Sequence, residues 1–345
     1  MNQPLYRKIY QDLEHAIQSG VFPSGSQLPT EKELSDTYHV SRITSKRALN
    51  ELEASGFIYR VRGKGSFVKE NFQNRANRTN RILFLLPFMN DLSLGNFTEG
   101  LTPTMQANNL DVLMTTLAYL DHKNAEEITQ EFDGLIYYVQ NSESHLDILA
   151  ALAFKKFPVI LLDKKIYDLP FSTIMSENIG GGFLATDYLI QHGHQRIAYL
   201  FGQDSLPQSV RQRYLGYLQA IKEADLEFLT TTEDNRMMQN HLVDYVRENH
   251  ITAFVCENDI TAIKAMKILK KAGFSIPADF SIIGFDNIQA ASLVEPPLTT
   301  VAQDFKLLGQ TAGQHLINCI ENNQPLEDVK IPVSLIKRHS TKEIN

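Results

Sequence analysis

Apolar residues in the first 40 positions recur at helical intervals on either side of a loop. They predict a first helix over Pro4–Ser19 and a short second helix that begins after Thr30. The segment Thr30-Glu31-Lys32-Glu33 fits a capping box, in which the Thr30 hydroxyl and the Glu33 carboxylate each accept a backbone N–H. The loop between the two helices, VFPSGSQLP, is rich in Pro, Gly and Ser.

A third helix is predicted over Ser41–Gly56, because Ser41 is a suitable N-cap and Gly56 a suitable C-terminal stop. Its small and apolar residues share one face: Thr44, Ser45, Ala48, Leu49 and Leu52. The opposite face carries Arg42, Ile43, Lys46, Arg47 and Asn50. A packed inner face with a cationic outer face suits insertion into a DNA major groove. An ordinary solvated helix face is the alternative.

After Gly56 the period changes from helical to alternating. Phe57–Arg62 and Ser66–Val68 predict two strands joined by a turn at Gly63-Lys64-Gly65. Arg62, Lys64 and the nearby Arg60 place cations along this hairpin, and the glycines allow the backbone to approach a phosphate. The hairpin following two closely spaced helices predicts a winged helix-turn-helix over residues 1–70. Residues 71–81 are polar and aperiodic, which predicts a linker.

From residue 82 onward, short apolar runs alternate with amphipathic segments. The predicted strands are Ile82–Leu86, Asp111–Thr115, Gly134–Tyr138, Val159–Leu162, Ile197–Phe201, Ala253–Cys256 and Ser281–Phe285. Helical patterns lie between them, for example Gly181–Gln191, Tyr214–Ala224 and Ile260–Ala272. This alternation predicts an α/β fold with doubly wound parallel sheets. About 260 residues exceed what one such sheet usually needs, so we expect two lobes with a cleft between them.

Polar residues follow several of these strands. Asp163, Asn258-Asp259 and Asp286-Asn287 come directly after apolar runs, and Arg213 is predicted to open a helix. A helix cap is the plain explanation for any one of them. Together, carboxylates, an amide and a guanidinium can fix the hydroxyls of a polyhydroxylated ligand, and ligands bind at the carboxyl ends of parallel strands.

Composition and charge narrow the class of protein. The chain of 345 residues is 43% hydrophobic and 21% charged, with a net charge of −7. Residues 1–81 nevertheless hold 13 Lys and Arg against 8 Asp and Glu, so the positive charge lies in the predicted DNA-binding segment. There is no long apolar run and no secretory pattern, which predicts a cytoplasmic protein without a membrane association. The two cysteines, Cys256 and Cys319, give no disulfide framework or zinc spacing.

Two further motifs have structural explanations that we favour over chemical ones. His192-Gly193-His194 could suggest a metal pair, but a structural cap is the interpretation that we favour. Gly180-Gly181-Gly182 could suggest a phosphate cradle, but close helix packing is the better interpretation without a strand and a GxGxxG pattern. We therefore predict no metal, no cofactor and no catalytic residue.

The segment LPTEKELSDTYHVSRITSKRALNELEASGFIYRVRGKGSFV resembles the winged helix-turn-helix of the GntR family of bacterial regulators. The resemblance implies DNA contacts from Arg42, Thr44 and Lys46, phosphate contacts from Tyr6 and Thr30, and a wing tip in the minor groove. We also count Ser45, beside Lys46, among the candidate DNA contacts. That wing tip comprises Arg62, Gly63, Lys64, Gly65 and Ser66. The family usually has Val-Arg where this chain has Ser45-Lys46, so a point-charge contact replaces one bidentate guanine reader. Arg47 either takes over that role or binds phosphate.

Residues 82–345 resemble the effector domain of the LacI/GalR family, related to periplasmic sugar-binding proteins. PVILLD, RYLGY, CENDITAIKAM, FSIIGFDN and PPLTTVAQDFKLLGQ carry the resemblance. It implies two lobes, approximately 82–174 with 305–332 and 175–304 with 333–341, a sugar in the cleft and a homodimer. The effector-binding residues it implies are Asp163, Arg213, Asn258, Asp286, Gln303 and Phe305, and Phe97 is a further candidate for stacking on the sugar.

The sequence thus predicts a sugar-responsive transcriptional regulator, most simply a repressor, that binds double-stranded operator DNA as a homodimer. A monosaccharide such as a pentose would control its DNA affinity. Two alternatives stay open at this point. One is an aminotransferase-like protein that binds pyridoxal phosphate through a lysine such as Lys164 or Lys165. The other is a transport binding protein, which the basic first segment argues against.

Overall fold

The structure is a computed structural model that describes residues 4–69, 78–87, 96–141, 143–202, 206–230, 241–322 and 326–344. The chain forms two compact units, with the division between Thr79 and Asn80. Most of the predicted linker, residues 71–77, lies outside the described residues. Within the described ranges, no helix is long and apolar enough to cross a membrane.

The first unit contains three helices and a hairpin. They are α1 (Leu5–Gln18), α2 (Glu31–Tyr38), α3 (Arg42–Ala54), β1 (Ile58–Val61) and β2 (Gly65–Val68). The strands pair antiparallel, and one apolar core joins the three helices to the hairpin through residues such as Ile9, Leu34, Leu49, Leu52 and Val68. All five predicted elements are therefore confirmed.

The helix starts follow from the sequence. The Thr30 hydroxyl accepts the Glu33 N–H at 3.3 Å, and the Glu33 carboxylate accepts the Thr30 N–H at 2.7 Å, which confirms the capping box. The Ser41 hydroxyl accepts the Thr44 N–H at 3.3 Å and caps α3. His39 adopts a left-handed conformation with φ of 52°, which turns the chain sharply between α2 and α3.

The second unit contains two sheets. The larger sheet is entirely parallel and has the order β12-β7-β6-β5-β3-β4. Its strands are β3 (Arg81–Leu86), β4 (Asp111–Thr116), β5 (Gly134–Tyr138), β6 (Val159–Leu162), β7 (Ser172–Ser176) and β12 (Val329–Ile331). Around it lie α4 (Thr98–Gln106), α5 (Ala125–Glu131), α6 (Leu146–Phe154), α12 (Phe305–Asn322) and a 3-10 turn over Leu117–His122. Apolar clusters cover both faces of the sheet.

The smaller sheet has the order β13-β11-β10-β9-β8, and only the edge strand β13 is antiparallel. Its strands are β8 (Ile197–Leu200), β9 (Ala253–Cys256), β10 (Ser281–Asp286), β11 (Thr299–Ala302) and β13 (Ser334–Ile336). The accompanying helices are α7 (Asn178–Gln191), α8 (Gln208–Glu223), α9 (Leu242–Glu248), α10 (Asp259–Lys271) and α11 (Gln289–Leu293). This sheet is also covered on both faces.

The chain passes between the two sheets three times. It crosses after β7, again between β11 and α12, and finally between β12 and β13. The predicted doubly wound α/β fold and its seven predicted strands are confirmed. β7, β11, β12 and β13 were not predicted. The first two are rich in Ser and Thr and the last two are three residues long, so none presents a clear apolar run.

Glycines allow α7 and α8 to pack backbone against backbone. A Cβ atom on Gly182 would lie 1.9 Å from the Arg213 carbonyl oxygen, and one on Gly216 would lie 2.0 Å from that of Ile179. A Cβ atom on Gly181 would lie 2.6 Å from the Phe285 ring. The interpretation of the glycine run as close helix packing is thus confirmed.

Candidate functional site

The outward face of α3 carries the predicted cationic residues. Arg42, Lys46 and Arg47 are exposed, and Ile43 between them is 80% exposed. Ser45 is instead 0% exposed, because it faces the core beside Ala48 and Leu49. Its inclusion among the predicted DNA contacts is therefore wrong.

Arg47 and Tyr6 form a single surface feature. The Arg47 guanidinium lies 3.9 Å from the centroid of the Tyr6 ring, and its Nε is 3.4 Å from a Glu51 carboxylate oxygen. These contacts hold Arg47 across α1 and α3 rather than extended toward a base edge. This arrangement favours the phosphate-binding role among the two that the sequence left open for Arg47.

The wing has a well-defined tip. The Val61 carbonyl accepts the Lys64 N–H at 2.9 Å, with Gly63 at φ of 77° and Gly65 at φ of 118°. The Gln27 amide donates to the Lys64 carbonyl at 2.8 Å and fixes the tip from below.

Access to the wing is limited to its tip. Arg62, Gly63 and Lys64 are exposed, whereas Ser66 is only 8% exposed. The prediction that Ser66 contacts DNA is therefore wrong, because its side chain is covered. Arg60 lies within 3.6 Å of carboxylates on Glu31 and Glu53, so its charge is paired with residues of the first unit.

The second unit contains a cavity of about 220 Å³ where the carboxyl ends of both sheets meet. All six predicted effector-binding residues line it: Asp163, Arg213, Asn258, Asp286, Gln303 and Phe305. Pro87, Tyr138, Gln140, Lys164, Pro207, Ser209, Val210, Glu257 and Ile260 complete the lining. The cavity lies between the two lobes, because Asp163 follows β6 of the larger sheet and Asp286 ends β10 of the smaller one.

Arg213 is the central cation of the cavity. It lies in the second turn of α8, which begins at Gln208, so the prediction that Arg213 opens the helix is wrong by about one turn. Its Nε donates to the Asn178 side chain at 2.8 Å, and one Nη donates to the Glu257 carbonyl at 2.7 Å. The guanidinium carbon lies 3.7 Å from the centroid of the Phe285 ring. These contacts fix the orientation of the guanidinium.

Asp286 and Gln303 extend this network to the crossover between the lobes. One Asp286 carboxylate oxygen lies 3.3 Å from the Arg213 Nη and accepts from the Gln303 amide at 2.6 Å. The Gln303 carbonyl oxygen accepts the Ser176 hydroxyl at 2.6 Å. Burial raises the pKa of Asp286 to about 6, although Arg213 opposes the shift.

Asp163 and Lys164 form an ion pair on the other side of the cavity. The Lys164 Nζ lies 2.6 Å from the Asp163 carboxylate and donates to the Val139 carbonyl at 2.8 Å. Burial alone would raise the pKa of Asp163, but Lys164 and Arg213 outweigh it and hold that pKa below its usual value. Asp163 itself has a φ of 72°, which turns the chain at the end of β6.

The structure adds polar lining residues that the sequence did not single out as effector contacts, Gln140 and Ser209 among them. Lys164 and Tyr138 lie beside Asp163, and Glu257 lies next to Asn258. The sequence could have marked Glu257 as a candidate effector contact, because it directly follows the apolar strand that ends at Cys256. Asn258 is both a helix cap and a lining residue of the cavity. Its side-chain carbonyl caps α10 by accepting the Thr261 N–H at 2.8 Å.

Aromatic rings form the apolar wall. Phe305, in the first turn of α12, and Tyr138 line the cavity, and Phe97 is buried behind them. The Phe97 ring centroid is 5.1 Å from that of Phe305 and 6.2 Å from that of Tyr138. Phe97 therefore supports the wall, and its prediction as a stacking residue is wrong.

His194 has no free nitrogen for a metal. It is buried, with one ring nitrogen 3.0 Å from the Thr252 hydroxyl and the other 2.8 Å from the Ser281 hydroxyl. Burial lowers the pKa of His194 to about 4, so the ring is neutral at pH 7. Among the described residues, no group of His, Cys, Asp and Glu could hold a metal ion.

Comparison with known proteins decides the class. Residues 5–68 match the family described as "Bacterial regulatory proteins, gntR family", and residues 186–341 match "Periplasmic binding protein-like domain". The chain therefore joins a GntR-type DNA-binding domain to a periplasmic-binding-protein-like second domain. Both resemblances inferred from the sequence are thereby confirmed.

Relatives of this regulator are themselves repressors. It is 28% identical over 360 residues to the "Arabinose metabolism transcriptional repressor" of Geobacillus stearothermophilus, covering 99% of this chain and 98% of that protein. It is 30% identical over 244 residues to the "HTH-type transcriptional repressor PurR" of Pasteurella multocida, covering 68% and 70%. Among solved structures, a LacI family transcriptional regulator from Enterococcus faecium with bound ribose is 27% identical. Its TM-score is 0.64, and the match covers 77% of this chain and 100% of that one.

Proposed function

We propose that this regulator represses carbohydrate-utilisation genes and leaves its operator when a monosaccharide occupies the cleft between the lobes. The observation that carries the proposal is the convergence of Asp163, Arg213, Asp286 and Gln303 on one cavity with an aromatic wall. The relatives support it, since one represses arabinose metabolism and a solved neighbour binds ribose.

The cavity chemistry suits a sugar. The carboxylates and amides offer acceptors and donors to hydroxyl groups, and Arg213 holds the charged acceptors in place. The Phe305 and Tyr138 rings offer an apolar surface to the C–H face of a sugar ring. Because groups from both lobes line the cavity, a bound sugar would favour the closed arrangement of the lobes.

The DNA-binding unit would dock by its α3 face. Arg42 and Lys46 would read base edges, and Thr44 would contact DNA beside them. Tyr6, Thr30 and Arg47 would bind phosphates, and the tip formed by Arg62–Gly65 would enter the minor groove. In a homodimer, two such units would contact the half-sites of a pseudo-palindrome.

The direct test uses full-length protein and an operator selected from random duplexes. We expect L-arabinose or D-ribose to raise the Tm and to release the labelled operator, measured by fluorescence anisotropy. Arg42→Ala should weaken operator binding by at least tenfold while keeping the sugar-induced rise in Tm. Asp286→Ala should abolish that rise while keeping the operator affinity. A protein that binds no DNA, or that keeps its operator at saturating sugar, contradicts the proposal.

We further propose that the protein works in the cytoplasm, where its DNA lies, and catalyses no reaction. The aminotransferase alternative depends on Lys164 or Lys165. Lys164 is engaged by Asp163 and the Val139 carbonyl, and Lys165 forms an ion pair with Asp328. The relatives named above are regulators. A purified protein with an absorbance band near 420 nm, the colour of a pyridoxal Schiff base, would instead support the enzyme.

A further inference from the structure

Glu257 is a buried carboxyl group whose bonding is incomplete. It is 1% exposed and lines the cavity at the end of β9. One oxygen, Oε1, lies 3.4 Å from both the Asn258 amide nitrogen and the Thr261 hydroxyl. The Gly202 N–H lies close to the same carboxyl group and opposes the rise in its pKa that burial causes. The other oxygen, Oε2, has no hydrogen-bond partner in the described part of the chain. A buried acceptor without a hydrogen bond destabilises the folded protein. A ligand hydroxyl that donates to it from the cavity therefore gains binding free energy.

The charges around the cavity are already paired. Its lining contains two cations, Lys164 and Arg213, against the carboxyl groups of Asp163, Glu257 and Asp286. Lys164 is bound to Asp163, and Arg213 is bound to Asp286 and to backbone and amide oxygens. A phosphate entering this space would meet carboxylates without an uncommitted ammonium group to receive it.

We propose that Glu257 accepts a hydroxyl group of the effector, and that the effector is an uncharged sugar rather than its phosphate ester. This inference rests on the function proposed above and specifies its ligand. Glu257 thereby determines specificity, because the matching hydroxyl must be present and correctly placed. Buried polar sites of this kind reject analogues that lack the group they bind.

The first test compares sugars on the full-length protein by thermal shift and calorimetry. The probes are L-arabinose, D-ribose, 2-deoxy-D-ribose, D-ribose 5-phosphate, D-glucosamine and a panel of other neutral mono- and disaccharides. We expect at least one neutral sugar to bind and its phosphate ester to bind at least a hundredfold more weakly. Tighter binding of a phosphate ester or of the cationic amino sugar overturns the inference while leaving a sugar-responsive regulator.

The second test assigns the hydroxyl to Glu257. In the wild-type protein, removal of one hydroxyl from the bound sugar should weaken binding by at least tenfold. In Glu257→Leu, which keeps a side chain of similar size and removes both oxygens, the same deoxy sugar and its parent should bind within threefold of each other. Glu223→Leu, an exposed control, should discriminate as the wild type does. Because sugars are compared within each protein, a general loss of stability does not imitate the result.

The outcomes distinguish the role of Glu257 from the proposed function itself. If a neutral sugar binds but Glu257→Leu keeps the full discrimination against every deoxy sugar, the assignment of Glu257 is wrong and the proposed function stands. If no sugar of either kind binds, the proposed function fails, and the role of Glu257 fails with it.

A separate observation concerns the DNA-binding surface. Ile43 is 80% exposed in the first turn of α3, whereas Leu49 and Leu52 of the same helix are buried. The exposed cations Arg42 and Lys46 lie on the same face, so the surface around Ile43 fits DNA in charge. The apolar group that a base edge offers in the major groove is the 5-methyl group of thymine.

We infer that Ile43 contacts a thymine methyl group and so fixes one T·A pair of the half-site. The test replaces each thymine of the selected operator, one at a time, by deoxyuracil, which lacks only that methyl. We expect one replacement to weaken wild-type binding about fourfold, the effect of one buried methyl group. Ile43→Ala should bind the thymine and uracil forms of that operator equally. A wild-type protein indifferent to every replacement overturns the inference.

Discussion

At the residue scale, Ser45 shows how burial can reverse the role suggested by a position. Its hydroxyl is buried in α3 without a hydrogen-bond partner among the described residues. Ser45→Ala should therefore stabilise the first unit by about 1 kcal/mol, since it removes that polar group and improves helix propensity. Hydrogen exchange of the α3 amides in the full-length protein would measure the gain.

Operator binding separates this interpretation from a DNA contact. Ser45→Ala should bind the selected operator as tightly as the wild type. Thr44→Ala is the neighbouring comparison, because it also removes one hydroxyl from α3, but a hydroxyl that lies 2.9 Å from the capping Ser41 hydroxyl and next to the proposed DNA contacts. Unlike Ser45→Ala, it should weaken operator binding. Weaker operator binding by Ser45→Ala with faster exchange in α3 would show that the hydroxyl does have a role.

Asp259 predicts a pH dependence of folding stability. It is fully buried, accepting the Ile288 N–H and the Thr300 hydroxyl, and burial raises its pKa to about 7. Between its ordinary pKa of about 3.9 and 7, the folded state binds more protons than the unfolded state. This contribution is complete below the ordinary pKa and is lost as the pH rises through 7.

Asp259→Asn should remove that contribution, because an amide can serve both partners without titrating. Urea unfolding at several pH values, followed by tyrosine fluorescence since the chain has no tryptophan, measures it. As the pH rises from 5 to 7, the Asp259 contribution to wild-type stability should fall by up to about 1.4 kcal/mol per pH unit, whereas His194, with its lowered pKa, contributes in the opposite direction. The slope of stability against pH should therefore be more positive in the variant than in the wild type. Equal slopes would contradict the assignment.

At the element scale, the contact between α7 and α8 depends on glycine. Gly182→Ala should destabilise the protein by about 3 kcal/mol, because its Cβ would displace the Arg213 backbone. Gly180→Ala is the matched control in the same helix, since its Cβ would meet only the Glu177 side chain at 3.2 Å. It should stabilise the helix by about 0.5–1 kcal/mol. Thermal unfolding of both variants tests the contrast, and equal effects would contradict it.

Elements set by neighbouring residues were predictable from the sequence, whereas those set by distant contacts were not. The α3 caps and the strand-end positions of Asp163 and Asp286 were predictable, because each is set by neighbours along the chain. The strand β11, Thr299–Ala302, was not predictable, because two of its four residues are threonines and the sequence shows no apolar run there. Its residues are mostly buried only because neighbouring strands of the sheet cover them. The unpartnered oxygen of Glu257 likewise depends on groups distant in sequence. The site could therefore be located from the sequence, but the incomplete hydrogen bonding of Glu257 could not.

At the scale of the whole second unit, Gln208 joins the two lobes outside the cavity lining. Its side-chain carbonyl accepts the Lys165 N–H at 2.9 Å, and its amide donates to the Tyr167 hydroxyl at 2.7 Å. Both partners follow β6 of the larger sheet, whereas Gln208 begins α8 beside the smaller one. The neighbouring Ser209 hydroxyl lies 3.5 Å from Asp163. These bonds favour lobe closure without involving the ligand directly.

Gln208→Ala should therefore weaken sugar binding although the residue does not line the cavity. Loss of about 1 kcal/mol from the closed arrangement corresponds to about a fivefold rise in Kd. Small-angle scattering should show a larger radius of gyration than the wild type without sugar and an equal one at saturation. Gln219→Ala, on an exposed part of the same helix, should match the wild type in both measurements. If Gln208→Ala also matches it, closure is set by the cavity residues alone, and a sugar must then supply the whole closing free energy.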